Sequence, residues 1–198
     1  MASGGAPREW SGIFAEICEE FPDRWTLTKV PSLPDISEIS QYGWKQFKDT
    51  AKVMFRCRRC KHKWTSVKGQ VIFHYRLTRG PRKKGQVKMF LPGQACQACN
   101  STIFEPSKWY NDQRVKVMEN LQQKLDEKFY TMSYGGRPNQ SRRSANMTSN
   151  HREDLCEACQ LGFCPRKNQE EEEYSEEEYS DHEEECSHGR WWSSSGLE

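Results

Sequence analysis

The stretch FRCRRCKHKW at residues 55–64 contains the first of three Cys-x-x-Cys pairs in the 198-residue chain. Two residues between cysteines is the spacing of a metal-binding knuckle, in which a tight turn brings both sulfurs to about 2.3 Å from one zinc ion. The second pair is Cys96 and Cys99, and the third is Cys156 and Cys159, followed by Cys164. This pattern predicts a domain that is built around zinc.

The cysteine count predicts two structural zinc ions. The first two pairs supply a complete set of thiolates for one ion, and the predicted ligands are Cys57, Cys60, Cys96 and Cys99. The third group supplies three thiolates and lacks a fourth ligand. Spacing alone does not choose among the candidates for that ligand, which are His74, His151 and His62. We expect both sites to be closed, without an open position for water.

The composition also favours a metal-dependent fold. Apolar residues make up 34% of the chain and the mean hydropathy is −1.00. This apolar content is low for a domain that is stabilised by apolar burial alone. A structural zinc ion can supply about 10–16 kcal/mol of folding free energy in small fingers. The residues after Met1 form no apolar region and no apolar run reaches 18 residues, so we expect no secretory leader. These features predict a cytoplasmic protein whose thiols stay reduced and bind zinc.

The hydrophobic periodicity predicts an α+β fold, with a small antiparallel zinc-ribbon-like sheet between two helices. The first helix is predicted at 8–21, and residues 31–42 are predicted to be a covering loop. Gly69 is predicted to mark a turn between two of the strands, which are expected at 24–30, 52–56, 63–67, 70–77, 86–91 and 102–104. Asn111 or Asp112 is predicted to cap the longer helix, whose apolar stripe is Val115, Met118, Leu121, Leu125 and Phe129.

Low-complexity segments set the predicted domain limits. The sequence EEEYS occurs at 171–175 and again at 176–180, within an acidic segment that cannot bury a core. The predicted divisions are a disordered N-terminus at 1–7, a zinc domain at 8–132 plus 151–165, a flexible linker at 133–150 and a disordered acidic tail at 166–198.

The charges are strongly separated along the chain. Residues 45–90 hold fifteen Lys or Arg and one acid, whereas residues 170–185 hold eleven acids and no Lys or Arg. The basic block predicts a binding face that consists of Arg56, Arg58, Arg59, Lys61, Lys63, Trp64, Arg76, Arg79, Arg82, Lys83 and Lys84. With Phe73 and Tyr75 nearby, this face offers phosphate contacts and stacking surfaces for single-stranded RNA. The alternative is a solvated face, or one that meets acidic phospholipids or receptor loops.

The sequence indicates no catalytic machinery. It has no Ser/His/Asp set, no H-E-x-x-H and no phosphate-binding P-loop. The Cys-x-x-Cys pairs lie at predicted β-turns without a βαβ context, which argues against thioredoxin-like redox chemistry. We therefore expect a binding protein with neither a reaction nor a small-molecule substrate.

Six segments resemble the receptor-transporting protein family, which carries the three-CxxC type zinc finger. They are GWKQF at 43–47, FRCRRCKHKW at 55–64, QVIFHY at 70–75, GQVKMF at 85–90, GQACQAC at 93–99 and CEACQLGFC at 156–164. The resemblance covers roughly residues 9 to 165. Members of the family usually end in a hydrophobic anchor, whereas this chain ends in RWWSSSGLE, so no transmembrane segment is expected in it.

The resemblance implies a zinc-binding accessory protein at the cytosolic face of the ER, Golgi or plasma membrane. Such a protein would assist the folding, membrane insertion or surface delivery of seven-helix, chemosensory-type receptors by direct binding. It also implies that the third cysteine group folds back onto the domain, where the second zinc site would be His74, Cys156, Cys159 and Cys164. The alternative function is a zinc-dependent RNA-binding protein with an antiviral or translational role.

Overall fold

The computed structural model describes residues 7–130 and 151–164. The predicted linker, the predicted acidic tail and all but Pro7 of the predicted N-terminal extension lie outside these ranges. The helices are α1 (Arg8–Cys18), α2 (Ile36–Ile39), α3 (Asn111–Phe129) and α4 (Glu157–Gln160). The strands are β1 (Arg24–Lys29), β2 (Lys45–Arg56), β3 (Lys63–Leu77), β4 (Lys84–Phe90), β5 (Gln94–Ala95), β6 (Phe104–Glu105) and β7 (Lys108–Trp109).

The fold is the predicted α+β arrangement, centred on one sheet with the strand order β1-β4-β3-β2-β7. Its longest pairing is the antiparallel β2–β3 hairpin, and the first Cys-x-x-Cys pair lies in the hairpin turn between Arg56 and Lys63. β5 and β6 form a separate two-stranded sheet that leads into and out of the second pair. β1 joins the edge of the large sheet parallel to β4, a pairing that periodicity did not predict.

The two faces of the sheet bury two different cores. Side chains alternate across a strand, so Val71, Phe73 and Tyr75 of β3 enter one core while Ile72 enters the other. The first core is closed by α1 and α3. The second is closed by Val30 and by the C-terminal segment 151–164, in which Cys156 is buried while Cys159 and Cys164 are partly buried.

The long helix was predicted correctly except at two points. Met118, Leu121 and Leu125 are buried as the stripe predicted, but the fourth buried residue is Val117 and not Val115. The cap position is Tyr110, and no side chain caps the helix there. Among residues 7–130 and 151–164, no helix is both long enough and apolar enough to cross a bilayer.

The predicted helix 8–21 ends at Cys18, and its buried residues are Trp10 and Phe14. Cys18 packs against the first core, where burial raises the pKa of its thiol to about 12. It therefore behaves as a small apolar residue and not as a ligand. The predicted loop at 31–42 contains α2, which begins where Asp35 accepts a hydrogen bond from Ser37 N.

Gly69 does not form the predicted turn. It lies inside β3, opposite Ala51 of β2, next to the point where the register of the two strands shifts. A Cβ at this position would overlap the γ-methyl groups of Val53. The glycine is therefore required for close approach of two strands, and 63–77 is one strand and not two.

Candidate metal centres

The first two Cys-x-x-Cys pairs come together in the structure. The four sulfurs of Cys57, Cys60, Cys96 and Cys99, here called the first cluster, all lie within 4.8 Å of one another. The Cys57–Cys99 and Cys60–Cys96 sulfur pairs are each 3.6 Å apart. A disulfide would need about 2.05 Å. Ligands about 2.3 Å from a tetrahedral zinc ion are instead about 3.8 Å apart, which is close to the 3.6 Å found for these two pairs.

The two knuckles of the first cluster have the same local geometry. Lys61 follows Cys60 with a φ of 65°, and Asn100 follows Cys99 with a φ of 48°. This left-handed conformation is common for Asn and unusual for Lys, so the turn at Lys61 is imposed by its surroundings. The left-handed conformation lets the chain reverse direction directly after each Cys-x-x-Cys pair, so that both sulfurs of the pair face the centre of the first cluster.

The thiols of the first cluster are electrostatically unequal. The backbone N–H of Cys60 lies 3.4 Å from Cys57 Sγ, and its hydrogen bond lowers the pKa of Cys57 to about 7. Burial raises the pKa of Cys99 to about 12. One sulfur can therefore ionise near neutral pH, whereas four adjacent thiolates require a cation between them.

A buried carboxylate holds the first knuckle in place. Glu105 of β6 is 2% exposed and accepts hydrogen bonds from Arg58 N at 2.7 Å and Arg58 Nε at 3.0 Å. The bond from the Arg58 backbone is the main reason why the pKa of Glu105 is lowered. Sequence reasoning missed Glu105, because a single acid in a two-residue strand carries no recognisable signal.

The third cysteine group forms a second cluster with a histidine. His151, Cys156, Cys159 and Cys164 present ligand atoms that all lie within 4.8 Å of one another. His151 Nε2 is 3.0 Å from Cys159 Sγ. The Cys164 thiol hydrogen-bonds to Cys156, which lowers the pKa of Cys156 to about 5 and raises that of Cys164. One imidazole and three sulfurs are a suitable set for structural zinc.

The structure places His151, and not the predicted His74, beside the third cysteine group. His74 lies in the middle of β3, fully buried, with its Nε2 3.0 Å from the amide nitrogen of Gln46. The strand residue that reaches the second cluster is Gln70, whose amide donates to Cys164 Sγ at 2.9 Å. His74 lies four residues further along the strand, or about 13 Å at about 3.3 Å per residue. It faces the correct side of the sheet but not the cluster.

Hydrogen bonds connect the segment that carries the second cluster to the residues that lead into the second knuckle. Glu157 Oε2 accepts from Gly93 N at 2.6 Å, and Glu157 N donates to Gly93 O at 3.2 Å. Cys156 pairs with Gln94 as an antiparallel bridge, and Trp64 Nε1 donates to Gln94 Oε1 at 3.0 Å. Gly93 and Gln94 lead directly into the second knuckle, so both clusters hold the same short strand.

The structure divides the predicted basic face into separate groups. Arg56, Arg58, Arg59, Lys61 and Lys63 surround the first knuckle, and residues 56–63 are called the basic knuckle from here on. The hairpin group, which lies at the other end of β3, consists of Arg79, Arg82, Lys83 and Lys84. The strand between them has 15 residues and measures about 45 Å at about 3.3 Å per residue. Arg76 belongs to neither group and covers the Trp44 ring at 4.5 Å.

The aromatic residues near the basic face are not free to stack on bases. Phe73 and Tyr75 are buried in the first core. Trp64 lies between Phe55 and His62, with ring centroids 5.3 Å and 6.0 Å away. Single-strand recognition depends on open aromatic faces. The RNA-binding alternative is therefore not favoured.

A sheet with two knuckles and two four-ligand clusters defines a protein of the zinc-ribbon class. Residues 50–162 match the family model of a zinc-binding domain, the three-CxxC zinc ribbon, which is more than half of the chain. The two clusters can hold two zinc ions, as the sequence predicts. No solved structure matches the chain.

Curated relatives agree with this match. The chain is 32% identical to human receptor-transporting protein 4 over 165 residues, which is 78% of this chain and 63% of that protein. It is 32% identical to mouse receptor-transporting protein 2, covering 78% of this chain and 69% of that protein. It is 27% identical to mouse receptor-transporting protein 3, covering 83% of this chain but only 35% of that protein. The chain belongs to the receptor-transporting protein family.

Proposed function

We propose that this chain is a zinc-stabilised accessory protein that binds a seven-helix, chemosensory-type receptor and assists its delivery to the cell surface. The observation that carries the proposal is the pair of four-ligand clusters, in a chain that belongs to a family whose members are named for receptor transport. The chain spans 63% of human receptor-transporting protein 4 and 35% of mouse receptor-transporting protein 3.

The clusters support a structural role for the metal. Structural zinc sites use four protein ligands, whereas catalytic sites use three and keep one position for water. Each cluster here offers four ligand atoms from the protein. The first connects the β2–β3 turn to the segment after β5, and the second holds the C-terminal segment against the sheet. The zinc ions would therefore shape a binding surface and would not perform a reaction. We place this surface at the cytosolic face of the ER, Golgi or plasma membrane.

Surface display of a receptor tests the proposal. An epitope-tagged seven-helix receptor is expressed with the wild-type chain, with Cys57→Ser or with Cys18→Ala, and surface label is measured by flow cytometry. Cys57→Ser removes a ligand of the first cluster, so we expect surface label to fall to the level without the chain. Cys18→Ala is the matched control, because it removes a cysteine outside both clusters and should retain delivery. Equal surface label with and without the wild-type chain would contradict the proposal.

Direct binding is measured separately. The detergent-solubilised receptor should co-precipitate with the zinc-loaded wild-type chain and with Cys18→Ala, but not with Cys57→Ser. Increased delivery without co-precipitation would show that the chain acts on receptor transport through another protein.

A further inference from the structure

The basic knuckle is an exposed turn whose positive charges outnumber the negative charges that meet it. Every residue from Arg58 to Lys63 is exposed. Arg56 and Lys63 lie directly opposite each other as a cross-strand pair, and like charges in that position repel. The buried Glu105 carboxylate forms an ion pair with the Arg58 guanidinium. Although Glu105 contacts both the backbone N–H and the Nε of Arg58, the Arg58 side chain remains 71% exposed.

The zinc site does not neutralise this charge. Four thiolates and one Zn²⁺ carry −2, and Glu105 carries −1, so the five cations of the basic knuckle leave a net charge of about +2. The knuckle therefore has charge available for an external anion beyond what the cluster itself requires.

An exposed apolar side chain lies close in the chain to the residue that holds the basic knuckle. Ile103 is 59% exposed and lies two residues before Glu105, the residue that binds Arg58. It belongs to the turn that follows the second knuckle. Cations next to an exposed aliphatic side chain are the combination with which peripheral proteins bind an anionic bilayer, where the charges meet headgroups and the apolar group enters the acyl boundary.

The exposure of the basic knuckle favours one partner class. Six consecutive exposed residues on a turn can meet a broad surface of anionic headgroups, whereas the nearby Trp64 ring contacts Phe55 and His62 and is not free to stack on bases. We propose that the basic knuckle, together with Ile103, is a docking surface for anionic phospholipids. This contact goes beyond receptor binding and needs no receptor.

Vesicle sedimentation of the zinc-loaded full chain tests the inference. The vesicles are phosphatidylcholine alone or phosphatidylcholine with phosphatidylserine. One variant combines Arg59→Gln, Lys61→Gln and Lys63→Gln. Its matched control removes the same charge at the opposite end of β3, by combining Arg79→Gln, Arg82→Gln and Lys83→Gln. Native mass spectrometry confirms that each variant keeps its zinc.

We expect wild-type binding only to the phosphatidylserine vesicles. Each cation that meets the anionic surface strengthens binding roughly fivefold. The knuckle variant lacks three of them, so its partitioning onto the vesicles should fall by about 100-fold, whereas that of the control should fall by less than about fivefold. Ile103→Ser should also weaken binding to these vesicles, while leaving binding to a single-stranded oligouridylate unchanged. Equal losses of vesicle binding in the two triple variants would overturn the inference, because the vesicles would then attract any cationic surface of the chain. It would also be overturned if the knuckle variant lost oligouridylate binding but kept vesicle binding. Because the assay contains no receptor, its failure would not bear on receptor delivery.

Discussion

At the scale of single residues, two histidines show how position decides metal binding. His151 has its Nε2 against Cys159 Sγ and belongs to a cluster of four ligands. His74 is surrounded by the sheet, and its Nδ1 has no hydrogen-bond partner among the described residues. Burial, with the nearby charge of Lys88, lowers the pKa of His74 to about 4, so this residue is neutral at physiological pH.

Metal content distinguishes the two histidines. We expect His151→Ala to retain one zinc ion firmly and to lose the second or hold it weakly, because the second cluster keeps only three sulfurs. His74→Ala should keep two zinc ions and lose stability instead, because it removes a fully buried side chain. Native mass spectrometry under reducing conditions measures both. The opposite pattern would restore His74 as the fourth ligand.

The lowered pKa of His74 predicts that the free energy of unfolding depends on pH. Its pKa in the folded state, about 4, is below its unfolded value of about 6.5, so protons bind the unfolded state more readily. Its contribution is complete above about pH 6.5 and is lost as pH falls toward about 4, by up to about 3 kcal/mol. Urea unfolding of wild type and His74→Gln across this range measures the effect. Because the metal ligands titrate equally in both proteins, the difference between the two reports His74. Parallel pH profiles would contradict this prediction.

At the scale of elements, β3 connects the parts of the domain. It pairs with β2 on one side and β4 on the other, and its two faces line both cores. Such a strand must be continuous, which is why Gly69 allows close approach where a turn was predicted. The strand β5, in the separate two-stranded sheet, is short, but both metal clusters hold it.

Gly69→Ala tests the continuity of β3. The added methyl group would overlap the γ-methyls of Val53, which is fully buried, so we expect a loss of about 1–3 kcal/mol in the free energy of unfolding. Gly12→Ala is the matched control. Gly12 lies in α1 with no atom near the added methyl group, and its replacement should stabilise by up to about 1 kcal/mol. Urea unfolding measures both, and equal effects would argue against the close approach.

Glu157→Ala tests the connection between the clusters. The substitution removes the carboxylate that accepts from Gly93 N, a charged hydrogen bond worth about 1.5–3 kcal/mol. We expect lower thermal stability and faster zinc release to a chromogenic chelator from both clusters, because β5 leads into the second knuckle. Glu153→Ala, an exposed acid in the same segment, is the control and should release zinc as wild type does. Faster release from the second cluster alone would show that the clusters are independent.

At the scale of the whole molecule, the two cores depend on metal to different extents. The core under α1 and α3 is apolar and contains no residue of either cluster. The core on the other face includes Cys156, with Cys159 and Cys164 packed against it, and Lys48 Nζ donates to Phe163 O at 3.0 Å. Few apolar side chains therefore hold the segment 151–164 in place without zinc.

Removal of zinc should therefore expose the second core, which the segment 151–164 covers, before the first core. When a chelator removes zinc from the full chain under reducing conditions, we expect amide hydrogen exchange to rise first in 151–164 and in 93–95. Amides of α3 should stay protected longer, because four of its side chains are buried in the apolar core. Hydrogen exchange with mass spectrometry measures the order. Simultaneous exchange of α3 and 151–164 would show that the domain unfolds as one unit.

The sequence by itself determined the features that depend on neighbouring residues. Two-residue spacing places two sulfurs on one turn, so the first cluster was predicted completely from Cys57, Cys60, Cys96 and Cys99. The 3.6-residue period likewise located α3 and most of its buried face. Spacing and periodicity act within a few residues, where the chain has little freedom.

Only the tertiary structure decided the features that depend on distant segments meeting. Whether His74 or His151 completes the second cluster depends on where 151–164 packs along β3, and no local pattern encodes that position. Glu105 becomes important only because β6 lies under the first knuckle. The basic block likewise became two groups because a long strand separates them. A side chain's role is set by the surface it packs against, and that surface exists only after folding.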